Sequence, residues 1–410
     1  MNRFSRRHFA QLAGGAAWLA GCSQGADTKR ADTSGPKVDA ADIAESGAPA
    51  VFAEFPVIDT PLKTLAAQKG LRFGTAIGHG ESSGLDDDAY GALIKRECNV
   101  LVAENEHKLY STLGGGPEPM TFARGDAIVD FAIENGMDMR GHVLLWNRMD
   151  FTPDWVSAYD FGKDSRAGMA KWLDGYIKDL TGHYGTKIYS WDVVNETIDP
   201  ATGHPRETIF TQKYGPDVVD FAFRSAREHA PHAELVYNDY MIWEPNNEAH
   251  IAGVLRLLEG FKNRDVPIDA FGVQGHLSTQ NHTGRTTGDG KGYTDPQRAE
   301  FTRFLDEIVG MGYNLIVSEF DVNDTDLVAD PDVRDLQMAS YGGAFLDMML
   351  SYQQVKDVLM WGMADHHSWL REWWPRSDAA LKRPALYDDQ LRPKALRQAV
   401  AKSLINALAR

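Results

Sequence analysis

The sequence IYSWDVVNET, residues 188–197, decides the fold that we predict for this chain. Its apolar and β-favouring residues suit a strand buried on both faces, but Asn195 and Glu196 gain nothing from such burial. Polar residues at the carboxyl end of a buried parallel strand are typical of a (β/α)8 barrel, which carries its chemistry there. Burial against Trp191 would raise the pKa of the Glu196 carboxyl until it could donate a proton near neutral pH. A helix cap or a solvated loop residue is the alternative interpretation of this acid.

Strand-like and helix-like segments alternate from residue 62 to the end of the chain. Eight strands with helical crossovers favour a single closed (β/α)8 TIM barrel over an open doubly wound sheet. No Gly-rich phosphate-binding fingerprint follows the first strand, which weakens the nucleotide-binding alternative further. The predicted strands are 71–78, 99–104, 138–146, 187–194, 234–238, 270–274, 314–318 and 358–362, the predicted helices 122–135, 167–184, 218–229, 247–262, 295–311 and 335–352, and the predicted loops 114–117 and 283–292.

Length and charge limit the class of protein. The 410 residues allow one large catalytic domain, residues 62–410, behind an N-terminal segment. The formal net charge of −16, without a run of Lys and Arg, argues against a nucleic acid or an anionic membrane bound by a basic face. A neutral or cationic ligand suits this charge better. No segment after the first 21 residues reaches the length of about 20 apolar residues that a membrane span needs.

Residues 1–21 are predicted to be a bacterial export signal peptide. Arg6 and Arg7 form a twin-arginine pair ahead of the short apolar region 12–20. The sequence LAGC that ends at Cys22 resembles a lipoprotein processing site, at which the Cys becomes the lipidated first residue. We therefore expect a lipoprotein anchored to a membrane through Cys22 alone and facing the periplasm or the cell surface. A soluble periplasmic protein with an incidental Cys22 is the alternative.

Residues 22–61 are predicted to be a flexible, disordered tether, because they are rich in Ala, Gly, Ser, Asp and Pro and lack helical or strand periodicity. If Cys22 is lipidated, Cys98 has no partner, so we expect no intrachain disulfide. Cys98 follows the helical pattern of residues 90–97 and is predicted to fill the core.

Polar side chains follow nearly every predicted strand at its carboxyl end. A lone His or Asn in such a place is more often a hydrogen-bonded structural residue. Coincidence is harder to accept for seven strands, because the carboxyl ends of barrel strands meet at one face. These strand-end residues are Glu104, Asn105, His142, Trp146, Asn195, Glu196, Asn238, Gln274, His276, Glu319 and Trp361.

The chemistry implied by this set is that of two carboxyl groups between aromatic walls. Cleavage of a glycosidic bond needs one acid to protonate the leaving oxygen and one carboxylate to attack or to activate water, and Glu196 and Glu319 suit these tasks. His276 and Gln274 could hydrogen-bond Glu319 and keep it ionised, while Asn195 could hold a sugar 2-hydroxyl. The indoles that suit the apolar faces of pyranose rings are Trp146, Trp361 and Trp369.

A metal site is the competing use of His and Glu residues. No two histidines and an acid show the HExxH spacing or another compact ligand pattern. His366 and His367 are adjacent, so on an extended segment they would point apart. We therefore expect no metal and no other cofactor.

Six motifs stand at the predicted strand ends, in the order Glu104-Asn105-x-x-Lys108, Gly141-His142-x-Leu144-x-Trp146, Trp191-Asp192-Val193-Val194-Asn195-Glu196, Gly272-x-Gln274-Gly275-His276, Ser318-Glu319-Phe320-Asp321 and Trp361-Gly362 to Trp369. Together they resemble the motifs of the family-ten glycoside hydrolases, the endo-β-1,4-xylanases. The resemblance covers about residues 62–402. It implies hydrolysis of β-1,4-xylosidic bonds in xylan or xylo-oligosaccharides, with retention through a covalent glycosyl-enzyme intermediate.

The resemblance also implies a role for each residue. Glu196 would be the acid/base and Glu319 the nucleophile, with Asp321 behind it. Glu104, Asn105 and Lys108 would bind the sugar on the glycone side, and His142, Trp146 and Asn195 would bind the cleaved sugar. Asn238, Gln274 and His276 would position the two carboxyl groups. Trp361 and Trp369 would form the wall and the lid.

Three residues depart from the family pattern. Asn147 stands in place of a His, Met149 in place of a Gln, and Leu370 in place of an Arg. These changes favour a specialised role on short or branched xylo-oligosaccharides. Two other classes of function stay open, namely a glycan-binding lipoprotein of weak activity and a barrel hydrolase that acts on another β-glycan.

Overall fold

The computed structural model describes residues 55–80, 84–240, 247–278, 295–325, 327–371, 373 and 375–410. The predicted export signal, the tether as far as residue 54 and the predicted loop 283–292 lie outside these ranges. The strands within them are β1 Arg72–Ile77, β2 Val100–Ala103, β3 Asp138–Trp146, β4 Ser190–Asn195, β5 Glu234–Asp239, β6 Ala270–Val273, β7 His276–Ser278, β8 Asn314–Asn323 and β9 Val355–Met360.

Eight of these strands form a closed parallel barrel, as the sequence predicts. Each of β1 to β6 pairs with the next, β6 pairs with β8, β8 with β9, and β9 returns to β1. The short β7 continues from β6 beyond Gly275 and pairs with the end of β8. The carboxyl ends of all the strands therefore surround one opening.

The barrel strands are packed on both faces. Every residue of β2, β4 and β6 is buried. Along β2, Val100 and Val102 belong to a small buried cluster that also contains Trp361, whereas Leu101 and Ala103 belong to the larger core beneath the helices. A strand buried on both faces needs a continuous run of apolar residues rather than a strict alternation of apolar and polar residues.

Helices cover the outside of the barrel. Among the described residues, no helix is both long and apolar enough to cross a membrane. The α-helices are α1 Leu62–Ala67, α2 Asp88–Glu97, α3 Leu109–Thr112, α4 Ala123–Glu134, α5 Asp154–Ala158, α6 Ser165–Tyr184, α7 Ile209–Tyr214, α8 Val218–His229, α9 Glu248–Asn263, α10 Asp295–Gly310, α11 Pro331–Met349 and α12 Ala395–Asn406.

Most boundaries of the predicted elements lie within three residues of the observed ones, and two differ by four residues or more. Helix α11 begins at Pro331, because the Asp330 side chain accepts hydrogen bonds from two backbone N–H groups and proline is well tolerated at the first helical position. Strand β8 runs on to Asn323, beyond the predicted end at residue 318, because β7 extends the sheet beside it.

The expectation that His366 and His367 point apart is wrong. The segment is a 3-10 turn, Asp365–His367, that follows β9 rather than an extended strand. The two imidazole rings lie 4.1 Å apart. Adjacent side chains on a strand point in opposite directions, whereas on a 3-10 turn, with three residues per turn, they differ by about 120°. Two adjacent side chains can therefore face the same neighbour.

Residues 55–61, the last part of the segment predicted as a tether, lie on the barrel. Arg397 of α12 donates to the main-chain oxygens of Ile58 and Thr60. The same guanidinium donates to Glu97 of α2 at 3.2 Å, and both side chains are buried. Next to Glu97, Cys98 is a free and fully buried thiol, which confirms that it fills the core.

We expect Arg397→Met to lower the free energy of unfolding by about 3–5 kcal/mol, because it removes the buried cation that pairs with Glu97. The buried carboxylate then keeps, as its cation, the half-exposed guanidinium of Arg96, whose Nε lies 3.4 Å away. Urea unfolding measures this loss. Arg166→Met is the matched control, since its partner Asp217 is half exposed and such a pair contributes about 0–1 kcal/mol. Equal losses in the two variants would contradict the argument.

Candidate active site

Two carboxyl groups face the opening at the carboxyl end of the barrel, and both are almost completely buried. Glu196 directly follows β4 and Glu319 lies within β8. Glu196 has a φ of 55°, a left-handed conformation that non-glycine residues rarely adopt and that is common at functional sites. The turn in the backbone here directs Glu196 out of the regular alternation of the strand.

Glu196 accepts four hydrogen bonds at its carboxylate, the longest of them from Asn195 Nδ2 to Oε1 at 3.4 Å. Trp146 Nε1 and Arg148 Nη1 donate to Oε2 at 3.1 and 2.9 Å, and Gln274 Nε2 donates to Oε1 at 3.0 Å. Burial alone would raise the pKa of Glu196, but the positive charge of Arg148 and these hydrogen bonds outweigh burial and lower it. The sequence-based expectation of a raised pKa is therefore wrong for this structure.

Gln274 does not bind the carboxylate for which it was predicted. Its amide donates to Glu196 and to Asn195 Oδ1, at 3.0 and 3.1 Å, rather than to Glu319. Asn238 Nδ2 lies 3.2 Å from the same Asn195 oxygen and donates to Glu319 Oε1 at 2.6 Å. We assign Oδ1 to this position of Asn195 because both neighbours are N–H donors. A chain of three amides thus connects the two carboxyl groups.

Asn238 reaches Glu319 because the neighbouring strand leaves room for it. A Cβ atom on Gly272 of β6 would lie 2.3 Å from Asn238 Oδ1. That oxygen instead accepts a hydrogen bond of 2.6 Å from Ser318 Oγ. The amide is thereby fixed with its NH2 group towards Glu319.

His276 lies between Glu319 and Asp321. Its Nε2 is 3.2 Å from Glu319 Oε2 and its Nδ1 is 2.9 Å from Asp321 Oδ1. Burial lowers the pKa of His276, but the two carboxylates outweigh burial and raise it to about 10. The imidazole is therefore cationic at neutral pH and donates to both acids. Trp369 Nε1 donates to the other oxygen of Asp321 at 2.7 Å, which ties the predicted lid to the Glu319 side of the site.

A buried ion pair holds His142 in place. Its Nδ1 contacts Asp192 Oδ2 at 2.8 Å, and Arg140 Nη2 donates to the other oxygen of Asp192 at 2.6 Å. All three side chains are almost completely buried. Arg140 and Asp192 support the site from beneath, and sequence reasoning assigned neither of them a role.

The first motif supplies another cation and another acid. Lys108 Nζ donates to Asn105 Oδ1 at 3.3 Å and lies 4.6 and 5.7 Å from the ring centres of Trp146 and Trp361. Burial lowers the pKa of Lys108, and the charges of nearby carboxylates, Glu319 first, oppose this effect. Burial raises the pKa of Glu104 to about 7, with Lys108 acting in the opposite direction.

The three predicted site tryptophans differ in how much of each indole ring is covered by neighbouring side chains. Phe151 stacks on Trp146 at 3.7 Å between the ring centres with an angle of 6° between the rings, so the protein covers one face of this indole. Trp361 is 7% exposed and meets His142 and His276 edge to face. Trp369 is half-buried beside His276 at 5.1 Å.

The three residues that depart from the expected family pattern have different surroundings. Asn147 donates to Thr197 Oγ1 at 2.6 Å and accepts from Thr208 at 2.7 Å, so its amide braces the loop after β4. Met149 is 44% exposed and Leu370 is buried. Arg148, between two of these positions, was missed by sequence reasoning. Its position, two residues after the strand-end Trp146, is the sequence feature that could have indicated a cation near Glu196.

Comparisons with known proteins agree with this geometry. The family model described as Glycosyl hydrolase family 10 matches residues 61–403. A β-1,4-xylanase from Dictyoglomus thermophilum is 32% identical over 331 residues, which cover 78% of this chain and 85% of that protein. The structure of xylanase 10B from Thermotoga maritima superposes with a TM-score of 0.72 at 26% identity, covering 84% of this chain and 98% of that one. Xylanase 10B from Thermotoga petrophila in complex with xylobiose gives the same TM-score and identity, with 85% and 98% covered. The chain belongs to glycosyl hydrolase family 10.

Proposed function

We propose that this protein is a retaining endo-1,4-β-xylanase that hydrolyses xylan or xylo-oligosaccharides. The observation that carries the proposal is the pair of buried carboxyl groups, each hydrogen-bonded differently and connected through Asn195, Gln274 and Asn238. Its membership of glycosyl hydrolase family 10 and its similarity to proteins named as xylanases support the same activity.

Glu319 acts as the nucleophile in this proposal. His276, which carries a positive charge, and Asn238 both hydrogen-bond its carboxylate and hold it in place. A carboxylate oxygen of Glu319 attacks the anomeric carbon as the bond to the leaving oxygen breaks, which produces a covalent glycosyl-enzyme. Water then attacks the same carbon, and Glu319 leaves as a carboxylate.

Glu196 acts as the acid and then as the base. It gives its proton to the leaving oxygen in the first step and takes a proton from the attacking water in the second. Trp146 and Arg148 hold one of its oxygens and Gln274 holds the other, so the carboxyl group is fixed before substrate arrives.

The substrate is a neutral sugar chain, and the glycone side is assembled from the first, second and last motifs. Glu104, Asn105 and Lys108 carry polar groups that can hydrogen-bond sugar hydroxyls. We assign Asn195 to the 2-hydroxyl of the cleaved sugar because its amide lies between the groups that hold the two carboxyls. The amide of Asn147 is engaged by Thr197 and Thr208, and Leu370 offers no polar atom in its side chain. Fewer polar contacts on this side favour short or branched xylo-oligosaccharides.

Two other functions predict different activity patterns. A glycan-binding protein of weak activity would release few reducing ends from any polymer, and a hydrolase of another β-glycan would prefer carboxymethylcellulose or mannan over xylan. Incubation with the three polymers, read as reducing ends, distinguishes these cases. The proposal requires xylan to be the preferred polymer.

We expect Glu319→Ala to lower kcat/KM on xylan by roughly 10⁴-fold or more, because the covalent intermediate can no longer form. Azide or formate should restore part of the activity towards aryl xylobiosides by attacking the exposed anomeric face. Glu196→Ala should instead retain the first step for aryl leaving groups that need no protonation. Substantial xylan hydrolysis by Glu319→Ala, or azide rescue of neither variant, would contradict the assignment.

The lowered pKa of Glu196 has a consequence for the pH profile. The acid must be protonated, so activity falls as the pH rises through its pKa. Arg148→Met removes the charge and one hydrogen bond that lower this pKa, and burial then raises it. We expect the alkaline limb of kcat/KM to move to higher pH by about 1–3 units.

Arg206→Met is the matched control for this variant. Arg206 donates to the main-chain oxygen of Glu196 at 2.9 Å rather than to its carboxylate. Its removal should leave the alkaline limb near its original pH. A limb that moves equally in both variants, or to lower pH in Arg148→Met, would contradict the role of Arg148.

We also propose that the protein is exported and lipidated at Cys22, on the basis of the LAGC sequence that follows an apolar segment. At about 0.8 kcal/mol for each buried CH2 group, several acyl chains would anchor the domain firmly without a spanning helix. Cys22→Ala should therefore move the protein from the membrane fraction to the soluble exported fraction or block its processing. A wild-type protein found in the soluble periplasmic fraction would contradict the proposal.

A further inference from the structure

Three side chains outside the active site bring possible metal ligands together. Asp87 caps the N-terminus of α2, whereas His366 and His367 lie in the 3-10 turn after β9, almost 280 residues later. Within the part of the chain that the structure describes, one ligand atom from each lies within 4.8 Å of the others. None of the three has a part in the hydrolysis described above.

The distances fit a tetrahedral ion. His367 Nε2 and His366 Nε2 lie 3.3 and 3.7 Å from Asp87 Oδ2. Zinc binds His nitrogen and carboxylate oxygen at about 2.0–2.2 Å, which places tetrahedral ligand atoms about 3.3 Å apart. We propose that Asp87, His366 and His367 bind a divalent transition-metal ion, with Zn²⁺ as the preferred ion and water as its fourth ligand. Calcium and magnesium are disfavoured because they prefer oxygen ligands throughout.

Neighbouring groups hold the three ligands in the required orientation. Asp87 Oδ1 accepts from the backbone N–H groups of Ala89 and Tyr90, at 2.9 and 3.1 Å, which turns Oδ2 towards the imidazoles. The ring of Tyr90 lies 4.2 Å from that of His367. Side chains that fix a ligand in this way are a regular feature of metal sites in proteins.

His366 also has an acid on its far side. Asp389 Oδ1 lies 4.0 Å from His366 Nδ1, and Arg371 Nη2 donates to the other oxygen of Asp389 at 2.7 Å. A carboxylate on one nitrogen of an imidazole favours the tautomer that leaves the other nitrogen free to bind a metal.

The ion would connect two parts of the barrel rim. It joins the start of α2 to the loop after β9, two residues before Trp369, whose indole donates to Asp321 in the active site. The site is therefore a structural clamp on the loop that carries the predicted lid. A metal that binds the folded protein and not the unfolded chain raises the melting temperature.

Zinc binding by the whole protein tests this proposal. The protein is purified without a polyhistidine tag, stripped with EDTA, incubated with Zn²⁺, separated from free metal and analysed for metal content. The wild type should retain one more zinc per chain than His366→Gln, and zinc should raise its Tm by roughly 2–4 °C. His366 is exposed, so this substitution should not impair folding. Calcium should raise the Tm of neither protein.

Two further variants sharpen the test. Asp87→Asn keeps an oxygen to cap α2 but loses the charge, and should also lose the zinc. His183→Gln is the control, because His183 pairs with the carboxylate of Asp126 at 2.6 Å without being part of the proposed site, and this variant should bind zinc like the wild type. Equal zinc content in the wild type and His366→Gln would overturn the proposal and leave a simple hydrogen bond between Asp87 and His367. Loss of zinc in His183→Gln would also contradict it.

Discussion

The burial of two acidic side chains at the mouth of the barrel is the constraint on which the rest of the site depends. Carboxylates cannot be removed from water without compensating charges and hydrogen bonds. The chain has a formal net charge of −16, so its overall charge does not stabilise the two buried carboxylates. Individual cations have to lie next to them. Arg148 contacts Glu196, and His276 contacts Glu319. Lys108 interacts electrostatically with both carboxylates.

The two carboxyl groups are compensated differently, and this difference distinguishes their roles. Glu319 is held by an amide and an imidazolium that is itself kept cationic by Asp321. Glu196 is held by an indole, a guanidinium and an amide. Burial raises the pKa of Glu196, and the charge of the guanidinium, together with the hydrogen bonds, outweighs burial and lowers it. If Glu196 is the proton donor, as we propose, the guanidinium of Arg148 favours proton transfer at acidic pH and limits activity on the alkaline side.

The barrel and most of the site could be predicted from the sequence because both depend on position along strands. Runs of apolar residues identified the strands, and polar residues near the carboxyl ends of these runs identified Glu196, Asn238, His276 and Glu319. Contacts across the barrel could not be predicted in the same way, since they depend on side-chain rotamers and on register between strands. Gln274 therefore reaches Glu196 instead of Glu319, and Phe151 covers a face of Trp146.

The pKa of Glu196 was mispredicted for the same physical reason. A sequence shows that an acid will be buried, but it does not show that Arg148 will turn back towards it from the loop after β3. In the same way, the 3-10 turn at residues 365–367 decides that two adjacent histidines face one carboxylate. Local backbone geometry, rather than residue type, controls both results.

In the proposed mechanism Glu319 forms a covalent bond with the sugar. The most direct measurement is mass spectrometry of the protein after incubation with an activated 2-deoxy-2-fluoro-xylobioside, in which the fluorine slows the second step. The account predicts one added glycosyl group per chain, located on the peptide that contains Glu319. A label on Glu196, or an unlabelled protein that releases products of inverted configuration, would contradict it.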